Sequence, residues 1–444
     1  MILPDGYRLR PLSADDKRAV IQLDLWAFPS GVDLETQEKL PLELPWDRFV
    51  GVVRDEPDES AVPLDGALPT TTELVAMHGS YPFEHFNVPG AETRVSGLTW
   101  VGVHPAHRRR GILSAMIDHH LAQCRERGEA ISALFAAEAA IYGRFGYGLA
   151  AHDVRLTIPR GAKLRPVTGS TEHSARLEEL TAEHHLELVD ALHREAGRRP
   201  LGVGAPHGAL LNRPGWATRD TPEMRRRHLE DLPPFRGGKE TRRIVVVERD
   251  GEARGYATFR REVRWEDEGP RGTVHLSEIV ALDAAAAHAL WSVLLDLDLT
   301  SEVATFVVAP DDAILSLLVD PRAARTKRAD NVWVRLVDVP AALAQRRYAA
   351  DVDVVVRVED ARLPENTGSY RVRAQAFAAP SVERTDDAPD LSLDVRELAT
   401  SYLGGTTLAS LALAGLVTEH TTGSLATASA AFAWPVEPVS SFIF

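Results

Sequence analysis

The sequence predicts a chain of mixed α/β and α+β class built from three units, taken as residues 1–159, 160–310 and 311–444. Three observations lead there. A strand, a basic turn and a helix follow one another over residues 95–127; a weaker echo of that order recurs from Val274; and the pattern changes again from about residue 311. The length of 444 residues agrees, since one hydrophobic core rarely organises so long a chain.

In chain order, Tyr7–Leu12 reads as a strand, and Ser13-Ala14-Asp15-Asp16 supplies N-cap chemistry for a helix running toward Phe28. Strands follow near Phe49–Arg54, Glu73–Phe83 and Thr93–Val103, separated by turns bearing Pro and Gly, with an acidic, proline-bearing loop from Asp55 to Thr72. An amphipathic helix spans Ile112 to about Arg127, an apolar run covers Ile131–Ala136, and another strand lies around Asp153–Ile158. This order describes a mixed, twisted sheet with a ligand at the carboxyl ends of its strands.

The most informative stretch is Val101-Gly102-Val103-His104-Pro105-Ala106-His107-Arg108-Arg109-Arg110-Gly111-Ile112-Leu113. A strand stops at Pro105, the chain turns through arginines and one glycine, and a helix begins. Backbone N–H groups at a helix start lack intrahelical partners, and the macrodipole adds partial positive charge there. Gly111 lets the backbone approach a phosphate with no Cβ in the way, so a pyrophosphate fits. The spacing Arg108, Gly111, Leu113 after a V-x-V-x-P strand resembles the acyl-CoA signature of the GNAT N-acetyltransferase superfamily. Downstream, Ile141-Tyr142-Gly143-Arg144-Phe145-Gly146-Tyr147-Gly148 resembles the Eis (enhanced intracellular survival) branch. That likeness extends over the whole chain and is closest in residues 95–150. It implies acetyl-CoA as co-substrate, held by Val101, Gly102, Val103, Arg108, Arg109, Arg110, Gly111, Ile112, Leu113, Ala137 and Glu138.

Around Lys163-Leu164-Arg165-Pro166-Val167, followed by Ser170-Thr171-Glu172 and a helical pattern, the chain echoes its own opening. Val274–Leu282 and the alanine-rich segment after it echo the cofactor strand and helix. Aligning Val280-Ala281-Leu282 with Val101-Gly102-Val103 puts Ala287 at Arg108 and Leu290 at Gly111, which removes both charge and close approach. The second unit is therefore expected to be a degenerate GNAT-like domain without a cofactor site, with long loops at Pro206–Pro214 and Leu232–Lys239. Farther on, Val332–Val337, Val352–Glu359 and Tyr370–Ala376 read as strands, and Val395–Leu403 and Thr407–Ala414 as helices. The resemblance implies a sterol carrier protein-like domain that delivers the C-terminus to the active site.

Acetyl transfer from a thioester to an amine needs two proton transfers. A primary amine of pKa about 10.4 must lose a proton before it attacks, and the departing thiolate benefits from a donor. Tyr142, a phenol protonated at neutral pH, suits the second role by family position, and Tyr147 is the structural member of the turn. The resemblance assigns the first role to the C-terminal carboxylate of Phe444. Ser440-Ser441-Phe442-Ile443-Phe444 carries three large apolar side chains that would gain roughly 1.5–3 kcal/mol each on full burial, so the tail is expected to dock. The substrate pocket is expected from Trp26, Phe28, Trp46, Trp100 and Ile443, with Trp100 sharing a strand face with Leu98 and Gly102. By the same resemblance, Ile443 stands where the best-known members carry an acidic residue and Ser30 where one is sometimes found, which implies a weaker hold on multicationic drugs; Asp33, Glu35 and Glu38 could substitute.

Composition bounds the alternatives. The chain is 44% hydrophobic and 26% charged, ordinary for a globular protein, and no stretch reaches the roughly 18–20 apolar residues of a membrane span. Met1-Ile2-Leu3-Pro4-Asp5-Gly6 lacks the features of a signal peptide, so a cytoplasmic location and no membrane partner are expected. A net charge of −14 argues against nucleic acid and suits cationic substrates. The one cysteine, Cys124, reads as a small hydrophobe, and His119-His120 and His184-His185 lack metal-ligand neighbours, so no metal is expected. The expected function is an acetyl-CoA-dependent N-acetyltransferase for amines such as aminoglycosides or other polyamines, assembled as a homo-oligomer that the resemblance makes a hexamer. A protein-lysine acetyltransferase and a non-catalytic acyl-CoA-binding sensor are the alternatives.

Overall fold

The computed structural model describes residues 3–42, 44–54, 73–204 and 206–444; the acidic loop of residues 55–72 lies outside them. The chain divides into two compact units. The first comprises residues 1–82, 95–135 and 444, and the second residues 83–94 and 136–443.

In the first unit, β1 (Tyr7–Pro11) leads to α1 (Lys17–Ala27), reached through a capping box in which Ser13 N–H donates to Asp16 (2.8 Å). A short α2 (Leu34–Glu38) is N-capped by Asp33, and β2 (Val50–Arg54), β3 (Glu73–Val88), β4 (Ala91–Val103), α3 (Ile112–Glu126) and β5 (Ile131–Phe135) follow. The sheet order is β1-β2-β3-β4-β5. β1 and β2, and β2 and β3, pair antiparallel, whereas β4 runs parallel to β5. Val52, Val75 and Ala76 from the strands bury against Ile112 and Met116 of α3, with Val101, Val103 and Leu113 packed on them. The apolar face of α3 thus fixes the helix under the sheet and its N-terminus at the end of β4. Under the same helix, Arg48 and Glu129 form a buried ion pair (2.7 Å).

The second unit carries β6 (Gly148–Leu149), β7 (His152–Arg155), β8 (Thr157–Pro159), β9 (Ser174–Glu179), α4 (Ala182–Arg198), α5 (Pro222–Leu229), β10 (Arg243–Arg249), β11 (Glu252–Glu262), the two-stranded β12 (Trp265–Glu266) and β13 (Gly269–Pro270), β14 (Gly272–Ala281), α6 (Ala284–Leu294) and β15 (Thr300–Thr305). One sheet runs β8-β15-β14-β11-β10-β9, with β14 and β15 parallel like β4 and β5. Residues 163–167 do not reproduce the opening strand. Leu164 makes a single bridge to Leu318, the next strand is β9, and α4 starts only at Ala182. The X-Arg-Pro echo was a likeness of three residues, too short to set a pairing.

Continuing, α7 (Ala313–Leu317), β16 (Lys327–Asp330) and β17 (Val332–Leu336) precede α8 (Val339–Gln345), and β16 pairs with β7 as β17 does with β6. Then come β18 (Val352–Glu359), β19 (Gly368–Ala374), β20 (Ser381–Thr385), β21 (Leu391–Asp394), α9 (Val395–Ser401), α10 (Leu408–Leu413), β22 (Val417–Glu419) and α11 (Ser424–Phe432). Their five-stranded sheet is ordered β20-β19-β18-β21-β22. No helix among the described residues is long and apolar enough to cross a membrane.

Candidate active site

The turn expected to hold an anion lies at the end of β4. Pro105–His107 form one 3-10 turn, with His104 Nδ1 accepting from Ala106 N–H (3.3 Å). Burial lowers the pKa of His107, whose Nδ1 lies 2.8 Å from the Tyr7 hydroxyl; the same hydroxyl accepts from Arg110 Nη1 (3.1 Å). Arg109 and Gly111 both adopt left-handed backbone (φ +62° and +83°), which turns the chain tightly into α3. No side chain caps α3, an added Cβ on Gly111 would meet nothing within 4 Å, and Arg108, Arg109 and Arg110 are exposed. An uncapped helix start in open space beside three guanidinium groups favours a phosphate-bearing ligand by dipole, N–H donors and charge together.

Beside it, β4 extends past its pairing with β5. β4 and β5 register at Ser96–Ser132 and Gly97–Ala133, and β4 then runs on to Val103. Val101 and Val103 turn their side chains to the α3 core, and Gly102 faces α1, where an added Cβ would sit 3.0 Å from that of Ala27. The expected alternation through Trp100 is corrected: Trp100 is left-handed (φ +54°), so it does not simply share a face with Leu98 and Gly102. Such a backbone costs of order 1–3 kcal/mol and persists where surrounding structure over-determines it, commonly at a functional site.

The aromatic residues expected at the amine entry fall into two groups within the first unit. Trp46 and Trp100 both pack on buried Phe49 (ring centroids 5.3 and 5.8 Å), which sequence reasoning passed over as a strand residue. Trp26, about half exposed, stands edge-on to His104 (5.2 Å), and Phe28 is exposed just beyond α1. Asp24, on the same helix, was also passed over. Burial pushes its carboxyl up to about 6, within reach of acid–base work at neutral pH. Ser30 is taken up locally, its Oγ accepting from Val32 N–H (3.1 Å) and Gln37 Nε2 (3.0 Å).

The tail docks, though less completely than its composition suggested. Phe444 packs edge-on to Phe135 (5.4 Å) and Tyr81 (6.1 Å) in the first unit, and Phe442 is buried against Phe83 (5.9 Å) in the second. Ile443 remains 47% exposed, at the mouth of a cavity rather than in a core. That cavity, about 310 Å³, lies in the second unit beside Trp216, Glu278, Trp291, Phe306, Asp311 and the tail from Val439 to Ile443. It occupies the place where β14 runs on past its pairing with β15.

Tyr142 lies in a 3-10 segment (Ala139–Phe145) of the second unit, with Ala137 and Glu138 exposed before it. Burial first, then the Glu138 charge, pushes the Tyr142 phenol up to about 12, so it stays protonated. Its ring stands edge-on to buried Tyr147 (5.9 Å). The glycines of this string have packing causes. At Gly146 (φ +82°) the Arg335 guanidinium lies where a Cβ would be, 2.8 Å away, and at Gly148 the Arg396 carbonyl blocks one. Arg335 in turn forms a fully buried ion pair in which its Nη2 donates to both Asp360 oxygens (2.8 and 2.6 Å).

At the matching place in the second unit the helix start differs. α6 begins right after β14, and the Asp283 carboxylate caps it by accepting from Ala286 N–H (2.8 Å), so an anion already occupies the helix start. Ala287 and Leu290 lie buried inside α6. Cys124 is buried with its thiol pushed up to about 12, and no group of three or more potential metal ligands is assembled among the described residues.

A splayed parallel strand pair running into an uncapped, arginine-flanked helix defines a GNAT-type N-acetyltransferase, and residues 8–150 and 215–336 each match an acetyltransferase (GNAT) domain. Residues 339–441 match a sterol carrier protein domain. An uncharacterized N-acetyltransferase of Streptomyces coelicolor is 41% identical over 364 residues, covering 82% of this chain and 84% of the relative. N-acetyltransferase Eis of Mycobacterium tuberculosis is 33% identical over 397 residues, 87% of this chain and 90% of that protein. The crystal structure of an Eis protein from Mycobacterium abscessus superposes with a TM-score of 0.74 at 29% identity, covering 98% of this chain and all of that one. The chain belongs to the Eis family of N-acetyltransferases, with two GNAT domains followed by a sterol carrier protein-like domain.

Proposed function

We propose that this N-acetyltransferase moves the acetyl group of acetyl-CoA to primary amines, with aminoglycosides and other polyamines as the acceptor class, by direct attack in a ternary complex. The observation that carries the reading is the uncapped start of α3 at the end of a splayed β4. Acetyl-CoA supplies the activated thioester. Main-chain groups of Val101, Gly102 and Val103 hold its pantetheine arm, Arg108, Arg109, Arg110, Gly111, Ile112 and Leu113 its pyrophosphate, and Ala137 and Glu138 border the arm.

Trp26, Phe28, Trp46, Trp100 and Ile443 receive the acceptor. The terminal carboxylate of Phe444 takes the ammonium proton, directly or through water, and the Tyr142 phenol donates to the leaving sulfur. The protein works as a cytoplasmic closed homo-oligomer, a hexamer; light scattering giving one chain per particle at micromolar concentration contradicts this assembly.

The test of the reaction is an amine panel with acetyl-CoA, read by thiol release and product mass. Multiple acetylation of a polyamine antibiotic is expected. Acetyl-CoA binding without turnover of any amine contradicts the reading, and acetylation of protein lysines alone moves the acceptor class.

A further inference from the structure

Three consecutive residues before the last three of the chain carry separate polar tethers, all within the second unit. Val439 N–H donates to the Pro214 carbonyl (3.0 Å). Ser440, fully buried, donates its N–H to Asn331 Oδ1 (2.7 Å), and its Oγ donates to the Phe442 carbonyl (2.8 Å), closing a tight turn. Ser441 Oγ donates to the Ala217 carbonyl (3.0 Å) and accepts from the Ala217 N–H (3.2 Å). The anchoring side is itself fixed. Asn331 is buried, its Nδ2 donates to Asp153 (3.2 Å) and its backbone N–H to Ala151 (3.0 Å), which leaves Oδ1 facing the tail. Gly215 is left-handed (φ +87°), and a Cβ there would lie 3.1 Å from the Val439 carbonyl.

Apolar burial is non-directional and tolerates sliding, whereas hydrogen bonds at successive backbone positions admit one register. A segment serving only as a plug would gain more from apolar residues than from two serines whose groups must all be satisfied in a buried place. We infer that Ser441, with Ser440 and Asn331, are positioning residues that set the register of the C-terminal segment and thereby the place of the Phe444 carboxylate. This rests on the reading of that carboxylate as the base.

The test compares Ser441→Ala with Ser441→Thr, which keeps the hydroxyl, in the full chain. Carboxypeptidase Y digestion followed by intact mass reads the tail without turnover. Release of Phe444 is expected to rise about tenfold in Ser441→Ala, the effect of orphaning the Ala217 backbone groups, and to match the parent in Ser441→Thr. Initial rates with acetyl-CoA and neomycin give the second arm: kcat falls by up to about 10²-fold in Ser441→Ala with acetyl-CoA affinity unchanged. The same change costs nothing further in protein lacking Phe444. Equal release from parent and Ser441→Ala, or the same fractional rate loss with and without Phe444, overturns the inference. A full rate after Phe444 removal overturns the base reading instead, and the digestion then still decides the tether.

Discussion

Replacing Gly111 by aspartate puts a carboxylate at the start of α3, where the cofactor pyrophosphate is placed. Two local effects on the fold nearly cancel. The left-handed backbone (φ +83°) costs an L-residue about 1–2 kcal/mol, and an aspartate N-cap returns about 1 kcal/mol to a helix that has no side-chain cap. With open space around the position, thermal stability stays close to the parent's. Binding does not. At about 5 Å and an effective dielectric of about 20, one pair of like charges repels by about 3 kcal/mol, or about 10²-fold in affinity. Gly111→Asn has the same shape and backbone tolerance without the charge, and keeps most of the affinity. Titration calorimetry with acetyl-CoA measures all three proteins; an unchanged dissociation constant for Gly111→Asp refutes the placement of the phosphate site.

Tyr142→Phe keeps the ring that stands against Tyr147 and removes the proposed proton donor, so kcat is expected to fall by about 10²-fold or more with cofactor affinity little altered. A parental rate under chemistry-limited conditions removes Tyr142 from the mechanism. The buried His78 and His120 predict acid lability. Burial lowers the pKa of both, that of His78 to about 3, with His119 and Arg127 adding to the effect. The folded chain therefore binds fewer protons than the unfolded one below pH 6.5. The stability is complete above that value and falls by up to about 1.4 kcal/mol per pH unit for each such histidine as the pH drops. Thermal melts at pH 7.5 and 5.5 should separate the parent more than His78→Gln, and parallel shifts contradict the assignment.

How much of this was legible in the sequence depended on how local the cause was. The turn at Gly111, the capping box at Ser13 and the strand at Val352–Glu359 each follow from neighbours in sequence, and each is where it was expected. The left-handed Trp100 was invisible, because no turn residue marks it. β20, β21 and β22 are strands of three to five residues, too short for a period to show, and α11 (Ser424–Phe432) is small and uncharged, with no polar face to reveal a helix. Phe49 and Asp24 were missed for another reason: a side chain's role in a site is decided by what long-range packing brings beside it. The tail was half legible, since apolar residues announced docking while the tethers of Ser440 and Ser441 needed Asn331 and Ala217, far away in sequence.

The proposed reaction acetylates amines with a base found once per molecule, at the chain's own C-terminus. Appending residues after Phe444 replaces that carboxylate by a neutral amide, and deleting Phe444 withdraws it by one position. The most direct measurement is the initial rate of acetyl-amine formation, read by product mass at saturating acetyl-CoA, for N-terminally tagged, C-terminally tagged and Phe444-deleted protein. The N-tagged form is expected to be fully active, and the other two to lose most or all transfer while still binding acetyl-CoA. A C-tagged protein as fast as the N-tagged one would contradict a terminal base and move that role to a carboxyl such as Asp24 or Glu138.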